Sequence, residues 1–294
     1  MRILVIGHGG QLAQALRAKC RSPLVVHTLG RAQLDIANRT EIARAISSFL
    51  PDVIINTAAY TAVDQAESEE AVALAVNRDG AGNVALAAAE IGVPLVHIST
   101  DYVFSGDRDG PYLEGDAPRP ANVYGRSKLA GEMAVAAAHG DHVIIRTAWL
   151  HSPFGRNFVK TMLRLAAERD VVSVVADQFG NPTSALDLAE ALLEIAKSVV
   201  GPPAAQWRGT FHAVNAGEAS WADLAERVFS RSRLLGGPSA AVHRIATAEF
   251  PTPALRPRNS RLNTDKLGET FGIRMRPWQE AVDESVSLIL REGF

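Results

Sequence analysis

Cysteine is almost missing from this chain: Cys20 stands alone among 294 residues. One thiol builds neither a disulfide framework nor a cysteine metal cluster, which fits a reducing compartment. A surplus of either charge is missing too, with 30 basic residues against 32 acidic and a formal net charge of -2. That balance leaves no electrostatic footprint for nucleic acid or an anionic membrane, so neither partner is expected. No apolar run approaches the length of a membrane span, and the opening MRILVIG reads as a core strand rather than a charged leader. A cytoplasmic protein is the expectation. Metal-ligand spacing is scarce as well. The nearest case among eight histidines is His139 and His142 in AHGDH, a polar stretch that reads as a solvated loop, so no metal site is expected. No internal repeat is visible.

What the chain does have is alternation. Short apolar, β-branched runs recur (ILVI from Ile3, VVHTL from Val25, VIIN from Val53, PLVHIS from Pro94, VIIRTA from Val143), with Ala-rich amphipathic stretches between them such as those from Arg39 and Val76. Runs this short and this uniformly apolar suit strands covered on both faces. Strand, helix, strand, helix predicts an α/β fold with a doubly wound parallel sheet of Rossmann type. After Trp149 the texture changes, and Pro and Gly clusters interrupt it at Gly201–Pro203 and Pro251–Pro257. The expected division is a dinucleotide-binding domain over 1–150, rejoined by about 185–215, and a smaller α+β substrate lobe over 151–184 and 216–294.

VIGHGGQLAQAL from Val5 leaves a strand, passes Gly7, Gly9 and Gly10, and enters a helix. Glycines let a backbone approach a pyrophosphate, and the free N–H groups of a helix start favour its charge. The competing account is a merely tight turn. After the second strand the usual ribose-binding acid is missing from HTLGRAQLD, where Arg31 stands nearby and Asp35 follows. An arginine there meets a 2′-phosphate, which favours NADPH and leaves NADH open.

In VYGRSK, Tyr124 and Lys128 lie four residues apart. On a helix that spacing returns to the same face. A free phenol has a pKa of about 10, and a neighbouring ammonium lowers it, giving a usable proton donor. In HISTDYVF the strand ending at Ile98 delivers Ser99 and Thr100 to the edge where open α/β sheets hold ligands. A ketone held by Thr100 and Tyr124, facing a reduced nicotinamide, defines carbonyl reduction.

On these blocks, together with PDVIINTAAYTAVDQAE from Pro51, NVYGRSKLAGE from Asn122, RTAWL from Arg146, NFVKTMLRLAAER from Asn157, DQFGNPT from Asp177 and PTPALRPRNSRLNTDKL from Pro251, the chain resembles the extended short-chain dehydrogenase/reductase family over nearly its whole length. The resemblance implies reduction of dTDP-4-dehydro-β-L-rhamnose to dTDP-β-L-rhamnose, the activated sugar for bacterial surface polysaccharide. It makes Tyr124 the proton donor, Lys128 its tuner and the holder of the nicotinamide ribose, and Thr100 the group polarising the ketone. It implies Gly10, Gln11 and Leu12 at the pyrophosphate, Asp35 and Ile36 on the adenosine side, and Ala59, Tyr60 and Thr61 under the cofactor. Thr100, Asp101 and Trp149 match residues touching the sugar nucleotide; Asn157 and Arg256 are candidates for its diphosphate or base. Core packing is the alternative for Trp149, and capping or loop structure for Asn157 and Arg256.

Two departures bear on what is carried over. Some relatives dimerise through Mg²⁺ held by glutamates, one of them in the first helix, where this chain has Ala15; monomer and homodimer both stay open. Dehydratases of the superfamily follow the Thr-Asp pair with a glutamate, where this chain has Tyr102, which argues against elimination. The rival readings are therefore another sugar-nucleotide reductase, an epimerase or dehydratase, or a non-catalytic NADP-binding regulatory subunit.

Overall fold

The computed structural model describes residues 1–201 and 207–293. The strands are β1 (Arg2–Ile6), β2 (Val25–Leu29), β3 (Val53–Asn56), β4 (Leu95–Thr100), β5 (His142–Thr147), β6 (Leu150–His151), β7 (Val171–Val175), β8 (Phe179–Gly180), β9 (Thr183–Ser184), β10 (Gly209–His212), β11 (Ala219–Ser220), β12 (Ala241–Ile245) and β13 (Asn259–Ser260). The helices are α1 (Gln11–Lys19), α2 (Arg39–Phe49), α3 (Val63–Ala66), α4 (Glu70–Leu74), α5 (Ala81–Glu90), α6 (Val123–Ala138), α7 (Phe158–Glu168), α8 (Ala185–Val200), α9 (Trp221–Leu234), α10 (Asp265–Phe271) and α11 (Trp278–Glu292). A π-helical turn over Ala75–Gly80 leads into α5. None of the described helices is long and apolar enough to cross a membrane.

Six parallel strands form the main sheet in the order β10-β5-β4-β3-β1-β2. Alternate residues of β1 point to opposite sides, so Ile3 and Val5 join the core under α1 and α8 while Leu4 and Ile6 join the core under α2, α5 and α6. The inner strands β1, β3 and β4 read as continuous runs because both their faces are covered, whereas β2, at the sheet edge, departs from that expectation, with Val25 and His27 exposed. The chain steps from β1 out to β2 and then crosses to β3 on the other side of β1, which places a switch point at the carboxyl end of β1.

A separate core of α7, α9 and α11 packs with β7 and β12, a parallel pair, around Val159, Leu163, Leu224, Val228 and Val282. Ser220 starts α9 with a reciprocal capping box to Asp223, satisfying backbone donors at the helix entrance. Beside it β11, β8 and β13 form a small sheet.

Two expectations are corrected. AHGDH is not a solvated loop: His139 is buried, with its Nε2 2.9 Å from the Val93 carbonyl oxygen, and His142 opens β5. The stretch from Val76 does not start as a regular α-helix, since its first turn is the wider π form that turns Asn77 inward. Pro202 and Pro203, part of the expected break, lie outside the described residues.

Candidate active site

Gly7 leaves β1 with φ +122°, and a Cβ there would run into the Thr57 hydroxyl, so only glycine fits between β1 and β3. Thr57 in turn binds the Ile6 carbonyl oxygen through its backbone N–H at 2.9 Å and its hydroxyl at 3.0 Å. Gly9 and Gly10 face open space, where an added Cβ would meet nothing within 4 Å. The loop is therefore an uncovered cradle at the amino end of α1, with the chemistry a pyrophosphate fits. Leu12 is buried beneath it. Arg31 is exposed and forms no ion pair among the described residues, a free cation past the end of β2. Asp35 is exposed; its Oδ1 accepts the Ala37 N–H at 3.0 Å and shapes the turn before α2. Ile36 is buried against Gly80, where no Cβ would fit.

Ala59, Tyr60 and Thr61 lie on the loop leaving β3. That loop is bolted to α6 by Asn77, which accepts the Tyr60 N–H at 2.8 Å, donates to the Tyr60 carbonyl at 3.0 Å and donates to Ser127 Oγ at 2.8 Å. Ser127 passes the contact on to the Tyr124 carbonyl at 2.8 Å. Nothing in the sequence flags Asn77, because its partners come from elements distant along the chain.

Asn122 caps α6 by accepting the Gly125 N–H at 2.8 Å. Two glycines let this helix come close to its neighbours: a Cβ on Gly125 would strike the Tyr102 carbonyl oxygen, and one on Gly131 the Asn77 carbonyl oxygen. Tyr124, Lys128 and Glu132 then recur along one face at four-residue spacing. Lys128 is 2% exposed, and its Nζ donates to the Ile98 carbonyl oxygen at 2.6 Å. Below it, Glu132 takes both arms of Arg146 at 2.9 and 2.7 Å and the Ser99 hydroxyl at 2.5 Å. Both charged side chains are buried. Glu132 was not anticipated, although its four-residue step from Lys128 in SKLAGE was a usable signal.

Thr100 sits at the last position of β4, with Asp101 beside it. The Thr100 hydroxyl donates to Asp101 Oδ1 at 3.0 Å, while Asp101 Oδ2 is buried without a partner. Burial pushes the Asp101 carboxyl up to about 6, against the pull of the Ser260 and Thr100 hydroxyls and nearby backbone N–H groups. Tyr102 packs edge-on against the Tyr124 ring, centroids 5.5 Å apart.

The phenol does not behave as the Tyr–Lys spacing suggests. Burial drives its pKa up, the Thr100 hydroxyl opposes the rise, and the Asp101 charge adds to it. Lys128 is not among the groups that shift it; its Nζ is turned to the Ile98 carbonyl oxygen. Burial lowers Lys128 itself to about 8, with Glu132 opposing the fall.

Trp149 follows β5, whose Thr147 is in register with Thr100. It is half-buried and holds a left-handed backbone, φ +48°, uncommon for a bulky residue. Asn157 caps α7 through the Lys160 N–H at 3.1 Å, and its Nδ2 reaches Gln11 Oε1 at 3.1 Å. Gln11 Oε1 also accepts the Ser152 hydroxyl at 2.7 Å. The structure thus brings Gln11 and Asn157 together, with the Gln11 side chain tying the head of α1 to the segment before α7. Arg256 forks onto Asp64 at 3.0 and 2.8 Å, fastening the Pro-rich loop to α3.

A parallel sheet with its switch point at a glycine turn, and a Tyr–Lys helix face beside the Thr100 edge, define a dinucleotide-dependent oxidoreductase of the extended short-chain dehydrogenase/reductase class. The model of the RmlD substrate binding domain family matches residues 1–290. The dTDP-4-dehydrorhamnose reductase of Sinorhizobium fredii is 51% identical over 293 residues, covering 100% of this chain and 99% of the relative. Among solved structures, the dTDP-4-dehydrorhamnose reductase of Bacillus anthracis in complex with NADP superposes with a TM-score of 0.90 at 38% identity, over 97% of this chain and 98% of that one. A Clostridium acetobutylicum dTDP-4-dehydrorhamnose reductase gives 0.91 at 38% identity, over 99% and 100%. The chain belongs to the RmlD family.

Proposed function

We propose that the chain reduces dTDP-4-dehydro-β-L-rhamnose to dTDP-β-L-rhamnose, the reaction for which its full-length relatives are named. The observation that carries this reading is the assembly of Thr100, Tyr124 and Lys128 at the carboxyl edge of β4, beside an open glycine cradle at the head of α1. When bound, NADPH supplies the hydride that reduces the sugar's C4 carbonyl. Gly7, Gly10, Gln11 and Leu12 would hold its pyrophosphate, Arg31 its 2′-phosphate, Asp35 and Ile36 its adenosine side, and Ala59, Tyr60 and Thr61 its underside. The NADP bound by the Bacillus relative supports the phosphorylated coenzyme.

In the reduction, Tyr124 gives its phenolic proton to the ketone oxygen as that oxygen gains charge, and Thr100 offers the second hydroxyl at that oxygen. Lys128, one helical turn along the face it shares with Tyr124, would hold the nicotinamide ribose. The proton that Tyr124 gives up becomes the product's hydroxyl hydrogen, and the phenolate left behind takes a new proton from water. Burial keeps the Tyr124 phenol protonated at rest and makes it a weaker acid, so the proton leaves only as negative charge develops on the ketone oxygen.

Asp101 and Trp149 would touch the sugar, Asn157 and Arg256 its diphosphate or base. Residues 1–150 with about 185–215 form the dinucleotide-binding part, and 151–184 with 216–294 the sugar-nucleotide part. We place the enzyme in the cytoplasm, as a monomer or homodimer, supplying the activated sugar for surface polysaccharide. The test is to mix the purified chain with dTDP-4-dehydrorhamnose and each reduced nicotinamide in turn. Stoichiometric consumption of NADPH with formation of dTDP-rhamnose is expected. Turnover of a sugar nucleotide without net loss of coenzyme would instead mark an epimerase or dehydratase.

A further inference from the structure

Trp149 is held from both sides. Its ring stacks on Trp221, the first residue of α9, with centroids 3.5 Å apart and planes within 8°. At Gly180, in the middle strand of the β11-β8-β13 sheet, an added Cβ would lie 2.5, 2.7 and 2.9 Å from Trp149 Cε2, Nε1 and Cζ2. The ring-fusion atom Cε2 is the nearest of the three, so this approach is onto the face of the indole rather than its rim. Trp221 already occupies one face, which leaves Gly180 on the other.

Trp221 is itself braced. Its Nε1 donates to Gln178 Oε1 at 3.2 Å, and Phe158 at the start of α7 lies 4.7 Å away, centroid to centroid. The left-handed backbone at Trp149 is a cost the surrounding contacts must offset, and such strain collects where a side chain has to be aimed.

We infer that Trp221 and Gly180 act as positioning residues that clamp Trp149 so that only its rim meets the sugar nucleotide. This rests on the reductase reading above. The sugar would therefore be contacted by the indole edge and not by ring stacking, and the selectivity gained would concern the sugar nucleotide and not the coenzyme.

The experiment compares Trp221→Leu, Gly180→Ala and Trp221→Phe with the unaltered enzyme. Separate KM values are taken for dTDP-4-dehydrorhamnose and NADPH, and the exciton signal of the stacked tryptophans is read by circular dichroism. Loss of an aromatic stack is on the order of 1.4 kcal/mol, or about tenfold. W221L and G180A should each raise the sugar KM about tenfold, keep the NADPH KM within about twofold and lose the exciton signal. W221F should lose that signal too but keep the sugar KM within about threefold, since a ring still covers the face.

If W221L does not fold, G180A decides by the same criteria. An unchanged sugar KM in the folded variants, or both KM values rising together, overturns the inference while leaving the reductase reading intact. An unaltered enzyme that leaves the ketosugar unreduced overturns both.

Discussion

Lys128 Nζ lies 2.6 Å from the carbonyl oxygen of Ile98, a bond from the middle of α6 to the strand that delivers Thr100. The ammonium is thereby fixed with respect to Tyr124, one helical turn before it. Glu132 on its own helix and His97 from β4 are the titratable groups whose charges couple to it.

The first prediction is a pH profile. Burial lowers Lys128 to about 8, so the charged form dominates below that pH and is lost above it. If the charged form is the one that holds the nicotinamide ribose, as proposed, kcat/KM should fall as pH rises through about 8. Rates at saturating NADPH across this range test it; a flat profile there would remove the charge on Lys128 from the reaction.

Replacing Tyr124 by Phe removes the proposed proton donor and keeps the ring that packs against Tyr102. Turnover should drop about 10²-fold or more, the usual loss for a general acid. NADPH affinity, measured by fluorescence titration, should change little. Full activity in Tyr124→Phe would assign the proton to another group.

Glu132 and Arg146 form a bidentate pair with side chains 6% and 5% exposed. Glu132→Gln strands the Arg146 charge in the core, and chemical denaturation should register a loss of about 3–5 kcal/mol. Changing Glu132 and Arg146 together to Met should recover most of it, because neither charge is then buried alone. A single variant as stable as the original would mean that the pair contributes little.

Gly131 is a backbone contact, not a flexible point. Gly131→Ala drives a Cβ into the Asn77 carbonyl oxygen, and overpacking of this kind costs about 1–3 kcal/mol. Thermal unfolding should show Tm lowered by several degrees. An unshifted Tm would show that the two helices part without strain.

With Arg31 taking the 2′-phosphate as proposed, Arg31→Ala should raise the KM for NADPH about tenfold, the worth of one charge-assisted hydrogen bond. The KM for NADH should stay put. Equal shifts for both coenzymes would place Arg31 elsewhere in binding.

The parts legible in the sequence are those set by local pattern. VIIN and ILVI are buried residue by residue in the sheet they announce, and Tyr124 with Lys128 shares a face because four residues make about one helical turn. Gly7 was readable as part of a glycine-rich strand-to-helix turn, whereas Thr57, the neighbour that excludes a side chain there, was not. What stayed hidden depends on who packs against whom. Trp149 meets Trp221, and Asn157 meets Gln11 across a separation of 146 residues, through tertiary contacts that no local period encodes. The acidity of Tyr124 was misread for the same reason: spacing reveals the neighbouring cation, but burial, which outweighs it here, belongs to the folded whole.

The cap of α6 has a consequence for biosynthesis. Besides holding Gly125, Asn122 donates to the carbonyl oxygen of Leu255, 133 residues later. Emerging from the ribosome, the chain presents its reactive helix long before the loop that receives this amide has been translated. The helix carrying Tyr124 therefore gains its tie to the Pro-rich loop only after 133 further residues have been made.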